Sequence, residues 1–369
     1  MAHNFDRKDD PQRQPTGQFV LSRDVVFITL RCLFHGVAVS ARQHATVSPP
    51  TRLIWVLALL LPALLQNPSA MAQESRPGTS PFSPALVPLP QSARSEQLAQ
   101  LAREEHWKEL RDIAEKRVQA VPGDVAAFYW LGEARLHLDN PIGAIQALRS
   151  AERLGLNTEF SHESLGVAYS AVYQYRLFEE QMKKAIGIDS RAARPWYYLG
   201  RYYESVRGDA AGALKLFSKA RDLDAEDPQT WVHMASCLET LDQPEEAQRA
   251  YTTALRLAEK KGERLSLAYQ GLARLSMETA PERALDFAEK AVQMEPQTDA
   301  NHLVLAKVDE RLGRVPEAVK ELQEAIRLNS TNIVPHQILA NLYFRLGRKD
   351  AGQAELRIIR EISEVYGVR

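Results

Sequence analysis

The sequence predicts an all-α protein, a linear stack of about eight antiparallel helix pairs behind a separate N-terminal region. Three observations predict it. A small residue follows a large apolar one at Gly132, Gly166, Gly200, Ala235, Gly271, Ala306 and Ala340, at steps of 34, 34, 35, 36, 35 and 34 residues. A second series, Ala151, Ala185, Ala220, Ala254, Ala291 and Ala325, advances by 34, 35, 34, 37 and 34. Between them, bulky residues recur at helical spacing, so each period holds two helices whose small residues let the backbones approach. Two ladders of one period, with two helices in each period, are the mark of a helical solenoid.

The clearest unit runs from Trp196 to Ala220. It carries Trp196, Leu199-Gly200, Tyr203, Ala213, Phe217 and Ala220. Trp231, Ala235, Ala247, Tyr251 and Ala254 repeat the pattern, as do Leu131-Gly132 and Leu165-Gly166. These residues resemble the tetratricopeptide repeat family over roughly 94 to 365. The closing Pro of that family's pattern stands at Pro122 and Pro296 and is absent from most units. The resemblance implies a right-handed superhelical solenoid that binds other proteins. It is specific for fold and not for partner, because the family binds many.

The elements then follow in order. Residues 1–52 are an unusual leader, and the working protein is expected to start nearer Arg52. Leu53 to Leu65 is an uncharged run behind Arg52, followed by Ala70-Met71-Ala72. A short apolar core ending in Ala-x-Ala reads as a signal peptide over 53–72, cleaved after Ala72. Its length of about 20 Å falls short of the ~30 Å hydrocarbon core. An uncleaved, membrane-tethering segment is the alternative. Residues 73–93 hold Pro77, Pro81, Pro84, Pro88 and Pro90 and read as a flexible tether.

The helix pairs are placed at about 94–124, 125–158, 159–192, 193–227, 228–263, 264–298, 299–332 and 333–369. The first is degenerate, as suits a unit without an upstream neighbour. Pro122-Gly123-Asp124 breaks its second helix. Phe128, Trp130, Tyr169, Tyr173, Tyr175 and Phe178 read as core aromatics of units two and three. Unit four carries one extra residue, with Gly208 supplying the turn inside Arg207-Gly208-Asp209. Asp227-Pro228 is a cap followed by Pro at the first helical position, and opens unit five. The link to unit six, Leu257 to Arg264, reads as helix extension on both sides of a break at Gly262. Gly313 and Gly347 close the turns of units seven and eight. The last helix is expected to put Leu356, Ile359, Ile362 and Tyr366 on one buried face.

Charge is nearly balanced, 46 basic against 47 acidic residues, which argues against a nucleic-acid binder. Of the two cysteines, Cys32 and Cys237, cleavage would leave only Cys237, read as a small buried apolar residue. The sequence holds no glycine-rich phosphate loop, paired-Cys metal spacing, His-Glu-x-x-His pair or nucleophile elbow. No catalytic residue, metal or cofactor is therefore assigned, and the chain is read as no enzyme. The histidines of 94–369, His106, His137, His162, His233, His302 and His336, fall on separate units and read as surface or groove polar groups.

The resemblance implies that the first helix of each pair lines a concave groove. The family's groove positions map onto Tyr129, Glu133, Tyr197, Arg201, Glu204, Lys307, Arg311, Asn341 and Arg345. Tyr197 with Arg201 is the expected hot spot, being residue types that anchor interfaces. Glu133, Val167 and Arg201 stand where some relatives grip a C-terminal carboxylate with Lys and Asn, so that clamp is not supported. The function expected is a non-catalytic adaptor, periplasmic or secreted, that binds a peptide or protein in the groove. A structural subunit of an envelope or secretion complex, and an accessory to an enzyme system, are the alternatives. No partner identity, oligomeric state or pathway follows, and no membrane span is expected after signal cleavage.

Overall fold

The computed structural model describes residues 96–366, which form sixteen α-helices and no strand. The leader, the signal segment with Ala70 and Ala72, and the tether lie outside the described residues. The helices make eight consecutive pairs: α1 (Glu96–Arg103) with α2 (Trp107–Ala120), α3 (Val125–His137) with α4 (Pro141–Arg153), α5 (Glu159–Ala171) with α6 (Tyr175–Ile188), and α7 (Ala193–Ser205) with α8 (Ala210–Leu223). They continue as α9 (Pro228–Thr240) with α10 (Pro244–Lys261), α11 (Ser266–Ser276) with α12 (Pro281–Met294), α13 (Asp299–Arg311) with α14 (Val315–Leu328), and α15 (Ile333–Arg345) with α16 (Lys349–Tyr366).

Local chemistry sets the ends of these helices. Side chains of Asp124, Asn140, Thr158, Asp209, Asp227 and Asn332 accept from the first-turn amides of α3, α4, α5, α8, α9 and α15. Each removes an amide that would otherwise lack a partner. Proline opens α4, α9, α10 and α12, where its missing N–H costs nothing.

The turn inside seven of the eight pairs follows one rule, the sixth pair being the exception. Its next-to-last residue is left-handed: Glu105, Asp139, Tyr173, Gly208, Asp242, Gly313 and Gly347, with φ from 56° to 73°. The amide that follows reaches back six residues inclusive in a Schellman-type closure, as in Asn140 N–H to the Arg135 carbonyl at 2.8 Å. In unit four the return bond runs from Asp209 to Tyr203, one residue longer, which absorbs the extra residue.

The small-residue ladders are the contact points between helices. The alanines of both series are buried. A β-carbon at Gly132, Gly166 or Gly200 would collide with Leu148, Met182 or Phe217 of the second helix in the same pair. At Gly271 the colliding group is the Tyr251 ring of the preceding pair.

Three expectations are corrected. Tyr173 is 51% exposed because it occupies the left-handed turn position, which points its ring away from the core. The extension at the fifth junction is one-sided: α10 has 18 residues and α11 only 11, with Gly262 capping α10 at φ 68°. In α16, Ile362 is buried but Leu356 is 41% exposed, because no further pair covers the position that Leu322 fills in the preceding unit.

Candidate functional site

First helices of neighbouring pairs touch one another, α1 with α3, α3 with α5, α7 with α9, α9 with α11 and α11 with α13. No second helix stands in comparable contact with the next second helix. The first helices therefore form the tighter, inner layer, and their outward faces are the candidate binding wall.

A ladder of polar pairs joins one helix pair to the next, mostly between first helices, with Glu115 on α2 and Glu278 in the turn after α11. Arg135 bonds Glu115 at 2.9 Å, and Arg194 pairs with Glu163. His233 meets Glu204 at 2.9 Å and Arg274 meets Glu239 at 2.8 Å. Arg311 meets Glu278 at 2.8 Å and Arg345 meets Glu310 at 2.6 Å. The Arg274 rung is bidentate, and Glu239 also accepts from the Tyr251 hydroxyl at 3.0 Å. Outer rungs such as Arg311–Glu278 are too exposed to add much stability, but they fix the register between pairs.

The electrostatics are strongest where α3, α5 and α7 meet. The Glu163 side chain is only 6% exposed. Burial pushes its carboxyl up to about 7, against the pull of Arg194 and with the repulsion of Glu133 and Glu159. Burial raises Glu133 as well, opposed by Ser164 and Arg194, and its Oε1 is buried without a hydrogen bond. His137 is pushed down to about 4 by burial and the Arg194 charge, and its ring stacks on Trp107 at 3.7 Å. Further along, burial pushes Asp309 up to about 6 against Arg314. At Glu204, burial opposes the charge, but His233 outweighs it and holds the carboxyl below its usual range.

The predicted wall residues divide accordingly. Tyr129 and Tyr197 are each 2% exposed, so the expectation of an exposed Tyr197 anchor is corrected. Neighbouring first helices lie close enough to close over the ring, which packs against Phe217 and His233 at 5.9 and 5.6 Å. Glu204, Arg311 and Arg345 belong to rungs of the ladder, and Glu133 lies in the buried cluster. Arg201 is half-buried near Glu204. Half-buried Lys307 and exposed Asn341 make no ion pair or hydrogen bond with a described residue.

The histidines also need correction. His162, His233, His302 and His336 are buried. Three of them take the place of the unit's bulky aromatic and bond a side chain 19 residues on: His162 to Gln181, His302 to Glu321 and His336 to Glu355, at 2.6–2.7 Å. Cys237 is fully buried, and burial raises its thiol. Among the described residues no cluster of three potential metal ligands forms, and no helix is long and apolar enough to cross a membrane.

Comparison with known proteins agrees with this geometry. A tetratricopeptide repeat model matches residues 228–261, the α9–α10 pair. A search of curated proteins found no match. Among solved structures, a chain of the APC/C hetero-tetramer Cut9-Hcn1 superposes with a TM-score of 0.59 at 14% identity, over 66% of this chain and 48% of that one. The protein thus spans about half the length of that chain. Yeast Tom70 gives 0.51 at 14% identity over 94% of this chain and 72% of its own. Pseudomonas aeruginosa PilF gives 0.50 at 20%, over 63% and 99%. At such identities the likeness speaks for fold alone. The fold is that of helical-repeat solenoids. The tetratricopeptide repeat itself is shown for the α9–α10 pair, and the other pairs share its two-helix architecture.

Proposed function

We propose that the chain is a non-catalytic adaptor whose first-helix wall receives an extended segment of a partner protein. The observation that supports this best is the division of the wall. The ladder fixes the pairs in register, while half-buried Lys307 and exposed Asn341 lie at the surface between its rungs. Polar groups set in a rigid, repetitive wall suit a peptide read by side chains along its length. The adaptor acts outside the cytoplasm, a reading supported by the apolar run and Ala-x-Ala site that end at Ala72.

The test is capture of interacting protein by the parent chain and by a Lys307→Glu/Asn341→Lys variant. Capture should fall at least ten-fold with the melting temperature unchanged, while Gln248→Arg on α10 should capture normally. Equal capture by all three removes the wall from the proposal. N-terminal sequencing of the protein from its host checks export: a start at Gln73 supports it, and retention of peptides before Arg52 contradicts it.

A further inference from the structure

A second surface lies at the edge of the stack where first helices turn into second helices. There Tyr173, in the turn of the third pair, and Tyr175, the first residue of α6, meet Tyr202 and Tyr203 near the end of α7. Tyr173 meets Tyr175 at 6.2 Å and 74°, and Tyr175 meets Tyr202 at 5.6 Å and 30°. Tyr202 meets Tyr203 at 5.8 Å and 79°, and the Arg207 guanidinium closes the row 4.4 Å from the Tyr203 ring. Tyr173 is exposed and the other three are half-buried. None of the four hydroxyls forms a hydrogen bond with a described residue. Burial is the main reason the Tyr175 and Tyr202 hydroxyls are held in their neutral form, with a proton to donate.

Tyr173 gives an independent sign that this row binds something. It holds φ 59°, a conformation that disfavours bulky side chains. The matching position elsewhere is Glu105, Asp139, Gly208, Asp242, Gly313 or Gly347. Only here does the turn carry an aromatic ring, and the ring is exposed, so core packing does not explain it. Strain retained without a packing reason points to function.

We propose that the row is a docking site for a proline-rich segment of a partner protein, bound in the polyproline II conformation. Two features select that ligand. The first is hydrogen bonding. The row offers hydroxyl and guanidinium donors, and a polyproline II segment presents carbonyls free of internal bonds. Its prolines bring no N–H that would need an acceptor in return. The second is shape. Two of the three ring contacts are close to perpendicular, so the row is ridged. Proline rings fit between such ridges, as in other aromatic-lined docking grooves, whereas a sugar ring needs a flat face. Proline rings along one edge of the ligand recur about every 9 Å, within two ring-to-ring steps of the row. This edge does not share its tyrosines with the first-helix wall, and the proposal stands or falls apart from that reading.

The test is fluorescence anisotropy with the full chain and labelled decaproline, against a labelled Gly-Ser peptide of equal length. The chain should bind decaproline about ten-fold or more tightly than the Gly-Ser peptide. Tyr202→Phe keeps the ring and removes the hydroxyl, and should weaken binding roughly three- to ten-fold. Tyr173→Gly removes a ring but suits the left-handed turn. It should lower affinity about ten-fold while the melting temperature holds or rises, which separates lost contact from lost fold. Equal affinity for the two peptides, no binding of decaproline at millimolar concentration, or indifference to Tyr173→Gly would overturn the proposal. Binding of cellohexaose without binding of decaproline would overturn it in favour of a sugar.

Discussion

Gly200 offers the sharpest test of how the pairs are held together. A β-carbon there would lie 2.6, 2.7 and 2.9 Å from three ring carbons of Phe217, where ordinary carbon contacts are about 3.5–4.0 Å. Phe217 has no room to retreat. It is fully buried, stacked on His233 at 5.5 Å and packed against Tyr197 at 5.9 Å. Gly200→Ala therefore carries an overpacking cost of about 1–3 kcal/mol, set against a helix-propensity gain of about 1 kcal/mol. Gly187 in α6 is the control, because a β-carbon there meets nothing within 4 Å. Gly187→Ala should show only the gain, reduced near the helix end. The two variants should differ by about 1–3 kcal/mol, or roughly 2–10 °C in melting temperature for a chain of this size. Urea and thermal melts by circular dichroism measure the gap. Phe217→Leu added to Gly200→Ala should recover much of the loss. Equal melts for the two alanine variants would refute the packing explanation of the glycine ladder.

Other outcomes follow from the same contacts. Arg274→Ala leaves Glu239 without its bidentate partner beside Tyr251 and should cost about 1–2 kcal/mol in urea melts, with Lys restoring only part. Glu163 at about 7 and Asp309 at about 6 sit above their unfolded values, which are near 4.3 and 3.9. On these two groups the folded chain holds protons that the unfolded chain releases, so their contribution to stability falls as pH rises from about 4 through 7, while His137 at about 4 contributes in the opposite direction. The test is therefore a difference: Glu163→Gln should gain stability relative to the parent as pH rises through that window, and a difference that does not change with pH would contradict it. Asp139→Gly should stabilise by up to about 1 kcal/mol, by relieving a left-handed backbone where the side chain makes no bond. Cys237, buried with its thiol raised by burial, should resist iodoacetamide in the native chain and react once urea is added; rapid native labelling would place it wrongly.

Much of the architecture was legible because it rests on residues with few alternatives. Gly132, Gly166 and Gly200 mark close approach, and Asp227-Pro228 can do little but start a helix. The left-handed turn position was legible only where it was glycine, at Gly208, Gly313 and Gly347. Asp139, Asp242, Glu105 and Tyr173 occupy it under the force of the return hydrogen bond, which composition does not display. The wall was harder to read. Position within a repeat says which face a side chain leaves from, not whether the next helix covers it, and so Tyr129 and Tyr197 were misjudged. The ladder had a signal in its spacing: Glu239 with Arg274 and Glu310 with Arg345 are opposite charges one repeat plus one residue apart. The buried histidines had one too, in the 19-residue step to Gln181, Glu321 and Glu355. Single residues do not show such pairings; only repeats laid over one another do.

The most direct measurement is site-specific photocrosslinking of the chain to its captured partner. A benzophenone amino acid replaces Ser236 or Asn341 on the first helices, and Gln248 or Lys290 on the second helices. Crosslinks from Ser236 and Asn341, with none from Gln248 and Lys290, are the predicted result. Crosslinks confined to the second-helix positions would mean that the partner rides on the outer layer and that the first-helix wall is not the docking surface.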